Sequence, residues 1–524
     1  MDYLVHHLLC SSAERLPEKE ALVHEDERLS YSAVYRAVTS FAHGLQLAGL
    51  QRGDRLGILL KSSIPQALSI FAASAAGAVF VPIHEVLFPD QVAHIVADCG
   101  VKGLVTTAAK LASLNGVFQR MPSLAFAVVV DESDAPQVPI AVHRFEQLCS
   151  VDAGPQTDAC IGRDLAAILY TSGSSGKPKG VMLTHANIIA GARIVSTYLG
   201  ITENDRTLAA LPFTFDAGLN QMMTAIQQGG TTVLIQFTLA RDIVRVLLRE
   251  RISGLTGIPT LWCLLAHPHS ILMKTPLPQL RYIANTGGSL PQNVLATLMQ
   301  ALPATAIFLM YGLTEAFRST YLPPDELDRR PNSIGKAVPN TEILVVDRDG
   351  KPCAPWEVGE LVHRGPTVAA GYWGKPELTD QVFRPHPWMP PELLHRETVC
   401  YSGDLVKTDD EGFLYYVGRK DSMIKSSGFR ISPTEVEEVL LQIGTVLEAA
   451  VIGVPDDLVG QHIKAFVVSS DPDSPNGQAI SRHCSDKLPR HMVPKEVEFL
   501  EELPKTPNGK VDYSALKVSP IKPN

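Results

Sequence analysis

Short apolar runs alternate with longer amphipathic stretches through most of this chain, and that rhythm constrains the fold more than any other feature. Strands buried on both faces read as continuous apolar runs, and helices between them build parallel sheets of the α/β class. Leu165–Tyr170, Val181–Leu183, Thr207–Leu211, Thr231–Ile235, Tyr282–Asn285 and Ala306–Met310 are such runs. Thr184 is placed to cap a helix that Gly200 ends. Past residue 340 the texture shifts to shorter strands, Glu342–Val346 and Glu360–Arg364, with Asp349-Gly350 as a turn, which predicts a β-rich subdomain. A boundary falls near Gly418–Asp421. After it, Ser432-Pro433-Thr434-Glu435 is a capping box with proline at the first helical position, and its helix should run to about Leu441. Strands at Ala449–Val454 and Lys464–Val468 follow, then a helix ending near Leu488. The expected architecture is a large N-terminal α/β body, residues 1–418, of stacked sheets plus the β-rich subdomain. A small α+β C-terminal domain, residues 419–524, completes it.

Composition narrows the function classes. With 524 residues, 45% hydrophobic and only 19% charged, the chain must bury large cores, which excludes disordered, collagen-like and coiled-coil classes. A net charge of −9 does not imply a dominant basic face, so neither nucleic acid nor anionic membrane is an indicated partner. The eight cysteines are scattered with no CxxC pair, which argues for a reducing compartment and against a zinc site or disulfide framework. Leu8-Leu9-Cys10-Ser11 superficially resembles a lipoprotein cleavage site, but Asp2 stands where positive charge is required. The most apolar stretch, Ala67–Ile83, is broken by Gly77 and Pro82 and suits a buried helix entering the strand Val79–Val81 better than a membrane span. A cytoplasmic protein without an integral membrane segment is expected.

The most informative segment is Tyr170-Thr-Ser-Gly-Ser-Ser-Gly-Lys-Pro-Lys-Gly180. Small residues let backbone N–H groups approach an anion, hydroxyls add donors and lysines add charge, so phosphate is the natural guest. The spacing is not that of a Walker A loop, and Pro178 stands where a Ser or Thr would follow the lysine. On composition alone a solvated surface loop explains the segment equally well.

The full string resembles the phosphate loop of the adenylate-forming superfamily, which holds acyl-CoA synthetases, peptide-synthetase adenylation domains and luciferases. Further motifs follow in family order: Tyr311-Gly-Leu-Thr-Glu315, Tyr401-Ser-Gly-Asp404 (Ser402 where the family usually has Thr), Gly418-Arg-Lys-Asp421, Lys425-Ser-Ser-Gly-Phe-Arg430 and Pro507-Asn-Gly-Lys510. A general likeness to acyl-CoA ligases associated with exosortase systems accompanies them. The resemblance implies that Thr171, Ser172, Gly173, Ser174, Ser175, Gly176 and Lys177 wrap the ATP phosphates. Tyr311 and Gly312 would meet adenine, with Gly287, Gly288 and Ser289 on its other side. Thr314 would bind phosphate, Glu315 would hold Mg²⁺, and Asp404 and Arg419 would bind the ribose. Lys510 would reach the carboxylate and α-phosphate oxygens, concentrating positive charge where anions are forced together. The C-terminal domain would be mobile, swinging about Asp421, with Lys425 and Gly428 facing the thiol site.

Taken singly, each residue has a plainer explanation: Asp404 and Glu315 as turn carboxylates, Lys510 as a solvated turn lysine, Tyr311 as core and Arg419 as half of a surface ion pair. Only the ordered set overturns these. Around the acyl pocket the resemblance points to Phe215, Asp216 and Gly218, with His185 either lining the pocket or packing at a helix N-terminus. Phe215-Asp216 is closer to amino-acid-activating members, where the aspartate binds an α-amino group; otherwise Asp216 caps a helix starting at Ala217. The implied activity is ATP-dependent ligation of a carboxylic acid to a thiol through an acyl-adenylate. CoA is the acceptor, or else a carrier-protein phosphopantetheine; fourteen residues after Lys510 leave a carrier to act in trans. The rival from another class is a degenerate nucleotide- or acyl-binding sensor, which has no need of Lys510.

Overall fold

The computed structural model describes residues 2–518 apart from 135, 154–157, 172–177, 268, 391, 394–396, 427–428, 457–459, 471–475 and 507–508. The predicted alternation produces two large sheets. In the first, the order is Ala141–Arg144, Phe126–Val129, Val101–Thr106, Arg55–Leu59, Val79–Pro82, Leu165–Thr171 and Lys179–Thr184. Every pairing in it is parallel except the last, where Leu165–Thr171 and Lys179–Thr184 form an antiparallel hairpin around the phosphate-loop segment.

The second sheet is parallel from Glu20–His24 through Thr231–Leu234, Arg206–Ala209, Gly254–Gly257 and Tyr282–Asn285 to Ala306–Leu313. Beyond Ala306–Leu313 it turns antiparallel through Ala316–Leu322, Ser333–Ala337, Leu414–Arg419, Thr398–Thr408, Gly359–Arg364 and Glu342–Val346, which is the β-rich part. The C-terminal region carries a three-stranded sheet of Val446–Asp456, Gly460–Ser469 and Glu496–Phe499 and a short hairpin, Ile424–Ser426 with Phe429–Ile431. It has its own apolar core around Val436, Leu440, Val451, Ala465, Val467 and Cys484.

Local signals act as the sequence predicts. Thr184 Oγ1 accepts from Asn187 N at 3.1 Å, the helix runs His185–Leu199, and Gly200 ends it at φ +58°. Ser432 Oγ accepts from Glu435 N at 3.3 Å, and its helix spans Pro433–Leu440. The apolar stretch after residue 63 is a buried helix, Ile64–Ala75, leading into Val79–Pro82. Among the described residues no helix is long and apolar enough to cross a membrane. All eight cysteines are free.

Candidate active site

Two strands joined by a two-residue turn build the centre. Ala306–Leu313 is a parallel strand whose C-terminal end carries Tyr311, and Ala316–Leu322 returns antiparallel with Thr314-Glu315 at the turn. Ligands of open α/β sheets gather at this carboxyl edge. Gly312 is required by packing: a β-carbon there would lie 2.7 Å from Arg318 N across the hairpin. Gly287, at the neighbouring edge after Tyr282–Asn285, takes φ +78°, a region that favours glycine. Gly288 and Ser289 beside it are exposed.

Tyr311 donates its hydroxyl to Asp404 Oδ2, and Arg419 NH1 donates to Asp404 Oδ1 at 3.2 Å. The register explains the second contact, since Asp404 and Arg419 are direct cross-strand partners. Burial raises the Asp404 pKa, against the opposing pull of Arg419, the Tyr311 hydroxyl and Lys510. Arg419 Nε also reaches Asp421 Oδ1 at 3.2 Å, and Lys420 pairs with Glu360 at 3.0 Å. The Tyr311 ring stacks on His363 with centroids 6.0 Å apart. His363 is fully buried, and burial lowers its pKa to about 3, so it is a neutral ring near pH 7.

Glu315 belongs to a second cluster. Its Oε1 takes Lys179 Nζ at 2.9 Å and the Tyr372 hydroxyl at 2.6 Å, while Lys179 also donates to the Tyr372 hydroxyl at 2.7 Å. Burial alone would raise this carboxyl, but the Lys179 charge and the Tyr372 hydroxyl hold it below the ordinary glutamate value. Oε2 has no side-chain partner among the described residues. A carboxylate with one oxygen anchored and one available suits a hard cation shared with phosphates, so the residues fit Mg²⁺.

Lys510 comes from the C-terminal region to the same edge. A β-carbon built on Gly287 would touch Lys510 Cε at 3.7 Å, and one built on Gly509 would meet Ile258 Cδ1 at 2.9 Å. The charge of Lys510 is felt at both Asp404 and Asp216. Asp216 opens the helix Asp216–Gln228 with Phe215 at the N-cap, so the helix starts at Asp216 and not at Ala217. Burial raises the Asp216 pKa, opposed by Arg318 and Lys510. One and two turns on, the same helix lines a small cavity of about 10 Å³ with Asn220, Gln221 and Thr224, facing Thr256, Tyr282 and Arg318.

His185 does not line that cavity. It is buried at the start of its helix, where Nδ1 accepts from Val5 N at 3.1 Å, and burial lowers its pKa to about 4. A buried imidazole whose ring nitrogen serves the chain's first helix is packing, which corrects the pocket assignment. Gly218 also answers to packing, because a β-carbon there would stand 1.8 Å from Pro212 O. Thr171 ends its strand with Oγ1 buried and unpartnered among the described residues. Ser172, Gly173, Ser174, Ser175, Gly176, Lys177 and Gly428 lie outside the described residues. Lys425 is exposed, its backbone N bonded to Gln461, and is not joined to the Asp404 or Glu315 clusters.

Sequence reasoning missed Lys179 as the partner of Glu315, together with Tyr372, His363 and Arg318. Lys179 lay within the singled-out loop, so its charge was a usable signal. A larger cavity, about 410 Å³, lies on another face of the helix His185–Leu199, lined by Tyr3, Ile189, Arg193, Thr197, Pro339 and Asn340, none of which belongs to either cluster.

Comparison with known proteins agrees with this layout. The profile of the family described as AMP-binding enzyme matches residues 9–373, and that of the AMP-binding enzyme C-terminal domain matches residues 435–510. The chain is 32% identical over 526 residues to Delta-poly-L-ornithine synthetase of Acinetobacter baumannii (strain AB307-0294), covering 98% of this chain but 36% of that relative's length. It is 32% identical over 510 residues to feruloyl-CoA synthase of Amycolatopsis sp, with 95% of each covered. Among solved structures, the anthranilate CoA ligase AuaEII in complex with anthranoyl-AMP superposes with TM-score 0.88 at 26% identity, covering 98% of this chain and 96% of that one. A signature over more than half its length, with the C-terminal signature in order behind it, makes this chain a member of the AMP-binding enzyme family of adenylate-forming ligases.

Proposed function

We propose that the protein is an acid–thiol ligase of the acyl-CoA synthetase type. The acid's carboxylate attacks the α-phosphorus of ATP, forming the acyl–phosphate bond as pyrophosphate leaves. A thiolate then attacks the carbonyl carbon, forming the thioester as AMP leaves. The observation that carries this reading is the meeting of Lys510 with the Gly287 edge, opposite Tyr311, Asp404 and Arg419. A nucleotide sensor would need the Asp404 side alone; a lysine delivered from the C-terminal region to the same cleft is what anionic reactants need.

In this scheme Asp404 and Arg419 hold the ribose, Tyr311, backed by the buried His363, meets the base, and Glu315 is oriented by Lys179 and Tyr372. Mg²⁺ held at Glu315 would supply positive charge to the phosphate oxygens. Residues 1–418 form the nucleotide-binding body and 419–524 the moving lid, with Asp421 as pivot. CoA is the acceptor we favour, on the likeness to feruloyl-CoA synthase along 95% of both chains. A carrier-borne phosphopantetheine is the second reading, favoured by the 32% identity to Delta-poly-L-ornithine synthetase. Eight free cysteines support a reducing, cytoplasmic setting.

The test is pyrophosphate release against a panel of aliphatic, aryl and amino acids, with and without CoA. Acid-dependent release, with CoA accelerating turnover, is expected. No acid-dependent release from any member would refute the ligase. Sustained release that needs the acid but ignores CoA would keep adenylation and point to a carrier.

A further inference from the structure

Arg318 is the anomaly of the acyl cavity. It is 3% exposed, lies on the strand Ala316–Leu322 directly after the Glu315 turn, and lines the cavity with Asn220, Gln221, Thr224, Thr256 and Tyr282. A guanidinium carries a permanent charge and five donors, and its burial is tolerated only when it is paired. Among the described residues its one side-chain hydrogen bond runs from NH1 to Thr286 Oγ1, and Nε has no partner. Asp216 is near enough for the charges to be felt, but the two form no ion pair among the described residues, and the guanidinium lies over the Phe317 ring, 5.1 Å from its centroid.

The backbone marks the same residue. Arg318 sits at φ +49°, a left-handed conformation that is costly for a non-glycine residue inside a strand. Gly312 provides the room for it, since anything larger would strike Arg318 N. The cavity wall also carries a buried polar atom without a hydrogen-bond partner, Gln221 Oε1. A volume of about 10 Å³ is room for one water, so the cavity takes no alkyl chain of any length in this arrangement and must widen around Arg318 to admit the polar end of a ligand.

We propose that Arg318 is a specificity residue and that the acid activated carries a second anionic group, a distal carboxylate on a short chain. The inference rests on the ligase reading and deepens it. The reacting carboxylate lies toward Lys510, and the distal carboxylate takes the guanidinium edge at Nε that Thr286 leaves free, the cavity widening from one-water size to admit it. A bidentate arginine–carboxylate contact explains why a charged residue is held in a buried pocket.

The test compares acid-dependent pyrophosphate release for matched short monocarboxylates and dicarboxylates of equal length, such as butyrate and succinate, in amine-free and 2-amino forms. The wild-type protein is expected to favour the dicarboxylate by at least about tenfold in kcat/KM. Arg318→Gln should lower that value about 10–200-fold, chiefly through KM, while changing the monocarboxylate less than about threefold. Arg318→Lys should keep the order of preference, which covers the case in which Arg318→Gln does not fold. Equal wild-type efficiencies, or an equal loss for both acids in Arg318→Gln as expected if Arg318 only balances Asp216, overturn the inference and leave the ligase standing. Absence of turnover with all of these short acids overturns the inference, and the ligase falls with it only if the aryl and amino acids of the wider panel also give no release.

Discussion

Gly218→Ala tests the geometry of the acyl pocket more directly than any change to a charged residue. The helix Asp216–Gln228 docks so closely on the preceding turn that a β-carbon at 218 would stand 1.8 Å from Pro212 O, 2.5 Å from Pro212 C and 2.8 Å from Leu211 O. All three are backbone atoms, so no side chain can swing aside. The gap must open to at least 3.0 Å, and the first turn of the helix, with Phe215 and Asp216, must move with it. Forced overpacking of this kind costs about 1–3 kcal/mol or more. The domain should remain folded, because whole-domain stability is about 5–15 kcal/mol. Displacing Asp216 on the 1 Å scale should lower acid activation about 10²-fold, as small misplacements of positioning groups do.

Nucleotide affinity should hold, since Tyr311 and Asp404 sit on other strands. The assays are urea unfolding, pyrophosphate exchange and ATP binding on one preparation. Gly116→Ala is the control: a β-carbon there meets nothing within 4 Å, and the change should stay within about 0.5 kcal/mol. Wild-type stability and wild-type exchange in Gly218→Ala would refute the close approach and the dependence of Asp216 on it.

Lys510→Ala should lose about 10²–10³-fold in adenylation with ATP binding little changed; unimpaired pyrophosphate exchange would remove Lys510 from the chemistry. Tyr372→Phe removes the hydroxyl shared by Lys179 and Glu315 and should cost about 1.5–3 kcal/mol in urea unfolding, whereas an unchanged midpoint would show that the direct 2.9 Å pair suffices. Glu437 is buried under the helix Tyr513–Val518, accepting from the Tyr513 hydroxyl at 2.8 Å, and burial raises its pKa from 4.5 to about 7. Folding therefore favours its neutral form: the stability it gives is complete below about pH 4.5 and is lost as pH climbs through about 7. The loss amounts to about 3 kcal/mol. Glu437→Gln should flatten stability of the C-terminal region between pH 5 and 8, and an unaltered pH profile would sink this account.

The periodic signals survived into the structure because they are local. Tyr282–Asn285 and Glu342–Val346 form over the expected residues, and Thr184 and Ser432 cap as their side chains predict. The strand expected at Thr207–Leu211 is instead Arg206–Ala209, since the chain must leave the sheet to form the Pro212 turn against which Gly218 packs. Tyr311, Glu315, Asp404 and Arg419, singled out from contiguous motifs, fall in two neighbouring clusters, so their proximity is legible in the sequence. Tyr372 and His363 were not, because each acquires its meaning from a partner distant in the chain: Lys179 for the first and Tyr311 for the second. Arg318 was invisible for another reason. Adjacent to a motif, it reads as an ordinary polar strand residue until the fold buries it against the cavity with Nε unpartnered among the described residues.

Arg419 divides its guanidinium between Asp404, which also takes the Tyr311 hydroxyl, and Asp421, each at 3.2 Å. One cation serving two acceptors is a thermodynamic ledger with a single balance. If the proposed nucleotide binding at Asp404 changes Arg419's hold, linkage requires a matching bias on its contact with Asp421. The reverse is equally binding: a chain arrangement that draws Arg419 toward Asp421 must alter nucleotide affinity by the same factor.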